Sequence, residues 1–134
     1  MKIGLPEITL GLIPGAGGTI RVSRAVGKSK AMEMILTGEP ISAEDALKWG
    51  LISQLHPDQA TLMEAAFTLA RKIASKSQVA AAFAKRAVQY SSNVGETAGM
   101  DHERSLFIAS MGTEDKKEGT KAFIEKRKAK WTDS

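Results

Sequence analysis

The 134-residue sequence predicts an α/β fold that is mostly α-helical, with one or two short strands near its start. β-prone residues at Ile3, Ile8 and Thr9 indicate a short edge strand or extended segment over residues 3–10, because Pro6 cannot donate to a ladder. In the second half, apolar residues recur at the spacing of one helical face. Two short strands cannot form a stable sheet alone, so the first is expected to pair with polypeptide outside this chain.

Composition excludes several classes of site. The chain is 43% hydrophobic and 25% charged, and no apolar run is long enough to cross a bilayer. Cysteine is absent, which excludes disulfides, thiolate metal sites and cysteine nucleophiles. His56 and His102 lie far apart and have no partner at ligand spacing, so we expect no metal and assign them no catalytic role. The first residues are neither a secretory signal nor an Arg-rich transit peptide.

Local signals define the elements of the first half. We expect a helix over residues 19–26 that ends at Gly27, and a second helix capped by Ser29. Ser42 begins a capping-box sequence and predicts a third helix. Residues 51–55 indicate a short second strand.

Four further helices are predicted after Pro57, the last three beginning near Ser77, Gly95 and Thr113. Their spacing indicates an apolar, buried face on each of the first three helices. These faces consist of Leu62, Ala66, Leu69 and Ile73; of Val79, Ala82, Phe83 and Ala87; and of Met100, Leu106, Phe107 and Met111.

The basic residues are concentrated near the end of the chain. Residues 116–130 contain seven lysines and arginines against two glutamates, whereas the formal net charge of the whole chain is +4. Such a patch suits a polyanionic ligand, a nucleic acid or a membrane surface. A solvated terminal helix has the same composition, so the patch alone leaves both interpretations open.

Three segments carry a family resemblance that covers essentially the whole chain. They resemble, in order, three segments of the crotonase or enoyl-CoA hydratase/isomerase superfamily. The first comprises residues 4–8 and 11–19, the second residues 36–38, 41–46 and 50–52, and the third residues 118–127. The amino-acid sequence of these segments is most similar to the mitochondrial-type short-chain enoyl-CoA hydratase branch. The resemblance implies the C-terminal portion of a crotonase (ClpP-like) fold, with residues 1–55 ending the spiral core and residues 58–134 forming the helical part.

The resemblance also implies what lies outside this chain. A full family member is roughly twice as long, so we expect an N-terminal half that supplies the oxyanion hole and the first catalytic glutamate. The C-terminal helices of the family pack between subunits, which implies a homo-oligomer, either a trimer or a dimer of trimers. We therefore expect this chain alone to lack activity, because each missing oxyanion donor typically costs about 10²–10³ in rate.

Two residues of the second active-site segment receive catalytic roles by resemblance. Glu7 would donate a proton to C2 of the substrate, and apolar neighbours favour the protonated acid that this step needs. Gly15 would use its backbone N–H to help hold the attacking water. Without the resemblance, Glu7 would be interpreted as a surface glutamate on a loop. Gly15, Gly17 and Gly18 would be interpreted as a turn before a helix. A phosphate-binding loop is disfavoured because the Lys-Ser/Thr of a Walker motif is absent.

Two residues near the chain end match family positions that meet coenzyme A. Phe123 and Lys126 are three apart, so a helix would place both on one face. By resemblance Phe123 would pack on the adenine and Lys126 would pair with phosphate. A core aromatic residue beside a solvated lysine is the alternative.

The function implied by the resemblance is that of an enoyl-CoA hydratase, a hydro-lyase of fatty-acid β-oxidation. The coenzyme A thioester is the substrate, and no further cofactor is expected. A 3,2-enoyl-CoA isomerase of the same superfamily is the nearest alternative. An RNA-binding or oligomerisation module is another, although only Phe123 and Trp131 could stack on bases in the basic segment. The resemblance implies a mitochondrial matrix location in a eukaryote or a cytoplasmic one in a bacterium, without a membrane partner.

Overall fold

A computed structural model describes residues 1–134, which group into two compact units, Met1–Leu62 and Met63–Ser134. Most of the chain is helical, as the sequence predicts. The two strands are only two residues long, and the second, Ile41–Ser42, is not predicted from the sequence. The predicted division into residues 1–55 and 58–134 rests on the family resemblance and stays a prediction.

The first unit combines a two-stranded antiparallel sheet with short helices. Its elements are β1 (Lys2–Ile3), a 3-10 helix (Pro6–Leu10), α1 (Gly18–Val26), α2 (Lys28–Thr37), β2 (Ile41–Ser42) and α3 (Ala43–Lys48). In the sheet, Lys2 pairs with Ser42 and Ile3 pairs with Ile41. The sheet therefore joins the start of the chain to the segment that leads into α3.

The strand predicted over residues 51–55 is wrong. The N–H groups of Leu51 and Ile52 both donate to the carbonyl oxygen of Ala46, at 2.9 and 3.3 Å. These bonds wrap the chain around the C-terminal end of α3, after Gly50 has taken a φ of +78°. A backbone that turns back onto its own helix cannot extend into a ladder.

Two predicted helix caps in this unit have different outcomes. Ser42 caps α3 as predicted, because its Oγ accepts from the Asp45 N–H at 3.0 Å, while its hydroxyl donates to the Asp45 carboxylate at 2.9 Å. Ser29 is not a cap. Gly27 takes that place with φ +82° and ψ +160°, a conformation that glycine adopts at no steric cost, and α2 starts at Lys28.

The remaining helices begin and end close to their predicted positions. They are α4 (Gln59–Ala74), α5 (Gln78–Ser91), α6 (Glu96–Met111) and α7 (Glu114–Ile124). Ser77 accepts from the Ala80 N–H and Thr113 accepts from the Lys116 N–H, both at 3.1 Å, so both predicted caps are confirmed. None of the helices is both long enough and apolar enough to span a bilayer.

The apolar faces predicted for α4 and α6 are not buried. The buried apolar residues of the chain are small, apart from one methionine: Ala31, Met34, Ala43, Ala46 and Ala122. In contrast, Leu62, Ile73, Met100 and Phe107 are 47%, 52%, 55% and 62% exposed. The 3.6-residue spacing thus identifies the helices correctly, but the chain does not itself cover their apolar faces. Exposed apolar faces of this extent are typical of surfaces that bind a protein, a membrane or a ligand.

The contrast between the two serines predicts a difference in stability. Ser42→Ala should destabilise α3 by about 1 kcal/mol, because the N-cap acceptor is lost. Ser29→Ala should change stability by less than about 0.5 kcal/mol, because Ser29 is exposed and caps nothing. Urea unfolding and hydrogen exchange of the Asp45 amide would measure both effects. Equal effects of the two substitutions would contradict the assignment of Ser42 as the N-cap of α3.

Candidate active site

Glu7 lies in a 3-10 helix, not in the edge strand or extended segment predicted for residues 3–10. Pro6 begins the turn, where its fixed φ suits a first helical position and its missing N–H is not needed. Gly11 ends it with a φ of +71°, and its N–H donates to the Ile8 carbonyl oxygen at 3.1 Å. The Leu12 N–H donates to the carbonyl oxygen of Glu7, also at 3.1 Å. The backbone on both sides of Glu7 is therefore fixed.

The carboxylate of Glu7 is the unusual group in this unit. The residue is half-buried, and its Oε2 atom is fully buried without any hydrogen-bond partner. Leaving a buried polar atom unpaired typically costs about 1–3 kcal/mol, so native proteins avoid it unless the atom has another use. The Oδ2 atom of Asp115, in the second unit, is the other buried side-chain oxygen without a hydrogen-bond partner.

The glycine-rich loop after Glu7 folds back against the residue that precedes the turn. A Cβ added to Gly18 would lie 2.9 Å from Pro14 Cβ and 3.0 Å from Leu5 Cδ2. Pro14 is buried, and Gly17 takes a φ of +86° at the start of α1. Gly17 is thus required by its backbone conformation and Gly18 by close packing. Both agree with the interpretation of these glycines as a turn before a helix.

Gly15 has different surroundings from these two glycines. The residue is exposed, and a Cβ added to it would meet no atom within 4 Å. Its N–H is not among the backbone donors that find an acceptor within the chain. Gly15 therefore offers a free backbone N–H at an exposed position of the loop. Its role in holding a water stays a prediction.

In the second unit, the premise that a helix places Phe123 and Lys126 on one face is wrong. Helix α7 ends at Ile124, and Lys126 lies beyond it with a left-handed φ of +53°. The Lys126 N–H donates to the Phe123 carbonyl oxygen at 3.2 Å, and the Arg127 N–H donates to that of Ala122 at 3.0 Å. This is a Schellman ending with lysine in the position that glycine usually takes.

Phe123 and Lys126 are nevertheless both accessible to a ligand. Phe123 is 85% exposed, which excludes the alternative that it is a core aromatic residue of this chain. Lys126 is exposed and makes no ion pair, unlike Arg127 beside it. Lys126 and Asp133 are the two non-glycine residues with a positive φ, a conformation that costs of order 1 kcal/mol.

The residues after α7 are held by one acidic side chain on that helix. Glu118 accepts from Arg127 Nη1 and Nη2 at 2.6 and 2.9 Å, and from the Lys130 N–H at 2.7 Å. The side-chain hydrogen bond from Arg127, followed by the backbone hydrogen bond from Lys130, lowers the pKa of the Glu118 carboxyl from 4.5 to about 2. The Glu118–Arg127 pair therefore fixes the loop that presents Lys126.

A second acidic group fastens the last residues of the chain. Asp115 is buried, and its Oδ1 accepts from the N–H groups of Thr132 and Asp133 at 2.8 and 3.2 Å. A side-chain hydrogen bond with Ser77 and these backbone bonds lower the pKa of the Asp115 carboxyl. The Trp131 indole N–H donates to the carbonyl oxygen of Ser75 at 2.9 Å. The sequence carries no local signal for this role, because the partners Thr132 and Asp133 lie 17 and 18 residues away from Asp115.

The basic segment is only partly used in pairing. Arg127 pairs with Glu118 and Glu125, and Lys117 pairs with Glu114 at 2.6 Å. The other basic residues of the segment make no ion pair: Lys116, Lys121, Lys126, Lys128 and Lys130. A cavity of 510 Å³ lies on the side of α7 that carries Glu114, Glu118 and Lys121. Unpaired lysines therefore lie both within α7 and in the residues that follow it.

Glu7 and Gly15 belong to the first unit, and Phe123 and Lys126 belong to the second. Glu7 lies on a turn that ends at Gly11, whereas Lys126 itself takes the left-handed position of its turn. His56 contacts Gln54 at 3.1 Å, and the ring of His102 lies 4.1 Å from that of Tyr90. No group of three or more histidine, aspartate or glutamate side chains is arranged to bind a metal ion.

This fold and this loop define a family. The whole chain, residues 1–134, matches the model of the family described as Enoyl-CoA hydratase/isomerase. The chain therefore belongs to the enoyl-CoA hydratase/isomerase family, as the resemblance of its three segments predicts.

Sequence relatives agree with this assignment. The chain is 51% identical to a mitochondrial enoyl-CoA hydratase of Pongo abelii, over 96% of this chain and 44% of that protein. It is 49% identical to the 2,3-dehydroadipyl-CoA hydratase of Escherichia coli K12, over 94% of this chain and 49% of that protein. The chain thus spans about half the length of the relatives that it matches.

Solved structures agree in the same way. The crystal structure of an enoyl-CoA hydratase from Bacillus anthracis superimposes with a TM-score of 0.93 at 38% identity, covering 99% of this chain and 51% of that one. An enoyl-CoA hydratase from Mycobacterium tuberculosis H37Rv gives a TM-score of 0.90 at 32% identity, covering 99% and 52%. The predicted fold class, a portion of the crotonase fold, is confirmed.

The lowered pKa of Glu118 predicts how stability changes with pH. The ion pair contributes its full stability above the ordinary pKa of 4.5 and loses it as the pH falls towards about 2. Glu118→Gln should therefore unfold more easily than the parent at neutral pH, and its stability should fall less steeply between pH 4.5 and 2. Thermal unfolding at several pH values measures this difference.

Glu114→Gln is the matched control, because Glu114 pairs with Lys117 at an exposed position on the same helix. Exposed pairs of this kind contribute little to stability. If both substitutions gave the same dependence of thermal stability on pH, a stabilising role specific to the Glu118–Arg127 pair would be excluded.

Proposed function

We propose that this chain provides the C-terminal half of an enoyl-CoA hydratase, which adds water across the 2,3 double bond of a 2-enoyl-CoA thioester. The observation that carries the proposal is the buried, unpaired Oε2 of Glu7 on a rigid turn next to the glycine loop. Relatives with about 50% sequence identity are named enoyl-CoA hydratase and 2,3-dehydroadipyl-CoA hydratase, which supports the same reaction class.

In this proposal Glu7 acts as the proton donor. Hydration requires a base that directs water to C3, an acid that protonates C2, and donors that stabilise the enolate oxygen. Glu7 would deliver its proton to C2, because its buried oxygen has no competing partner. Gly15 would bind the attacking water through its free N–H, with no side chain between the water and the loop. The coenzyme A thioester is the substrate, and the reaction calls for no further cofactor.

The second half of the proposal concerns the polypeptide that covers the apolar faces. Leu69, Met100 and Phe107 are each about half exposed or more, although the spacing of their helices is that of buried faces. We assign these faces to contacts with the N-terminal half and with further copies of the protein, as expected for a homo-oligomer. The base, the oxyanion donors and the remaining sheet strands would come from that N-terminal half.

The test is reconstitution of activity. Crotonyl-CoA hydration is measured for this chain alone and for this chain joined to the N-terminal half of the 2,3-dehydroadipyl-CoA hydratase of E. coli. The chain alone should show no turnover above background, whereas the joined protein, called here the reconstituted enzyme, should be active. Turnover by the lone chain at ordinary enzyme rates would contradict the proposal.

Within the reconstituted enzyme, Glu7→Gln should lower kcat by at least about 10², the usual contribution of a positioned general acid. Glu64→Gln is the matched control, because Glu64 is exposed on α4 and makes no ion pair. A Glu7→Gln enzyme with full activity would exclude Glu7 as the acid. Following the shift of a 3,4 double bond to the 2,3 position in the same samples tests the isomerase alternative.

We further propose that Phe123 and Lys126 bind the nucleotide part of coenzyme A. The exposed ring of Phe123 is available to stack on adenine, and the unpaired ammonium of Lys126 is available to phosphate. Both are presented by the Schellman turn, so a ligand would meet a preformed surface.

This assignment predicts a change in KM rather than in kcat. Lys126→Asn removes the charge, and asparagine tolerates the left-handed backbone. KM for crotonyl-CoA in the reconstituted enzyme should rise roughly fivefold, the equivalent of about 1 kcal/mol for one exposed charge pair, while kcat stays unchanged. Lys128→Asn serves as the control on a neighbouring exposed lysine. Equal KM values for the two variants would remove Lys126 from the binding site.

A further inference from the structure

Gly38 ends helix α2 in a conformation that favours glycine. Its φ is +70° and its ψ is +6°, and its N–H donates to the carbonyl oxygen of Met34 at 3.1 Å. The residue is buried, unlike the glycines at the ends of the 3-10 helix, α1 and α3. The left-handed cap explains why glycine suits this position, but it does not explain why the residue is buried.

The burial of Gly38 comes from its contact with the turn that carries Glu7. A Cβ added to Gly38 would lie 2.9 Å from Ile8 Cγ2 and 3.3 Å from Thr9 Cγ2. It would also lie 3.6 Å from Pro6 Cα. All three atoms belong to the 3-10 helix, on both sides of Glu7. Any side chain at Gly38 would therefore press directly on this turn.

The contacted atom of Ile8 has little freedom to move away. Cγ2 is bonded directly to Cβ, and a β-branched side chain has few allowed χ1 values. A side chain at Gly38 must consequently displace the backbone of the turn by a few tenths of an ångström or more. Glu7 is the residue next to Ile8, so the displacement would be passed to its carboxylate.

A neighbouring contact shows that residues 38–40 form a continuous support for the turn. A Cβ added to Gly4 would lie 3.0 Å from both Cα and Cβ of Pro40. The pairing of Ile3 with Ile41 continues the same approach into the sheet. Residues 3–9 thus lie against residues 38–41, through both backbone and side-chain atoms.

We propose that Gly38 is a positioning residue for Glu7: the absence of a side chain there allows the Glu7 turn to rest on residues 38–40 and sets the location of the carboxylate. This inference rests on the function proposed above. Misplacing a catalytic group by about 1 Å can cost as much as 10² in rate, so a contact of this kind is enough to affect turnover.

Gly50 supplies a matched control. It takes a φ of +78°, but a Cβ added to it would meet only the Ala25 carbonyl oxygen, at 3.7 Å. Gly38→Ala and Gly50→Ala therefore impose similar backbone strain in the same unit. Only Gly38→Ala also presses on the Glu7 turn.

The first measurement uses this chain alone and is independent of activity. The Gly11 and Leu12 amides report on the turn, because they donate to the carbonyl oxygens of Ile8 and Glu7. Hydrogen exchange at these two amides should be at least about tenfold faster in Gly38→Ala than in the parent chain. Gly50→Ala should leave it within about twofold. Equal acceleration in the two variants would overturn the proposal.

The second measurement is the activity of the reconstituted enzyme. Gly38→Ala should lower kcat by about 10- to 100-fold with KM nearly unchanged, while Gly50→Ala should keep kcat within about twofold of the parent. Adding Ile8→Ala to Gly38→Ala removes the contacted methyl group and should restore kcat by about tenfold. A purely structural defect would instead be made worse by the additional truncation of Ile8, which is half-buried.

The outcomes separate this inference from the proposed function. If Glu7→Gln retains full activity, the proposed function fails whatever Gly38 does. If Glu7→Gln is inactive but Gly38→Ala behaves as Gly50→Ala does, only the positioning role fails. Should Gly38→Ala not fold, Ile8→Ala alone tests the same contact by opening a gap beneath the turn. An Ile8→Ala enzyme with the parent kcat and unchanged amide exchange would then overturn the inference.

Discussion

The close approach of two backbone segments, residues 2–9 and residues 38–42, organises the first unit. A sheet of two strands, each two residues long, is too short to hold these segments together alone. The absence of a side chain at Gly4 and Gly38 lets the two segments approach each other beyond the sheet. The same economy extends to the core, where alanines at positions 31, 43 and 46 are buried. Small residues permit short distances between elements, and the location of Glu7 follows from those distances.

This mode of packing leaves the chain with little apolar burial of its own. Met34 is the one large apolar side chain among its buried residues, and burial of apolar surface contributes about 25 cal/mol per Å². In the second unit, hydrogen bonds to Asp115 and Glu118 fix the position of the residues after α7. These contacts fix geometry, but they do not replace a core. A chain that spans about half the length of its relatives is expected to have this character, because a divided fold divides its core.

Sequence reasoning succeeds where structure depends on neighbours in the chain. The caps at Ser42, Ser77 and Thr113 are short-range hydrogen bonds, and the helices that they begin are predicted correctly. It fails at residues 51–55, where hydrogen bonds to the end of α3 outweigh β propensity, and at Lys126, where a left-handed ending stops the helix. The candidate site shows the same division. Glu7 and Gly15 come from motif resemblance, whereas the contact of Gly38 with Ile8 joins residues 30 apart and leaves no local signal.

The lysine at the end of α7 sets thermal stability against recognition at a single residue. Glycine in this left-handed position would relieve roughly 1 kcal/mol of backbone strain. It would also remove an ammonium group from a surface that is otherwise ready to meet an anion. In the binding role proposed for Lys126, this backbone strain accompanies the presentation of its charge to the ligand.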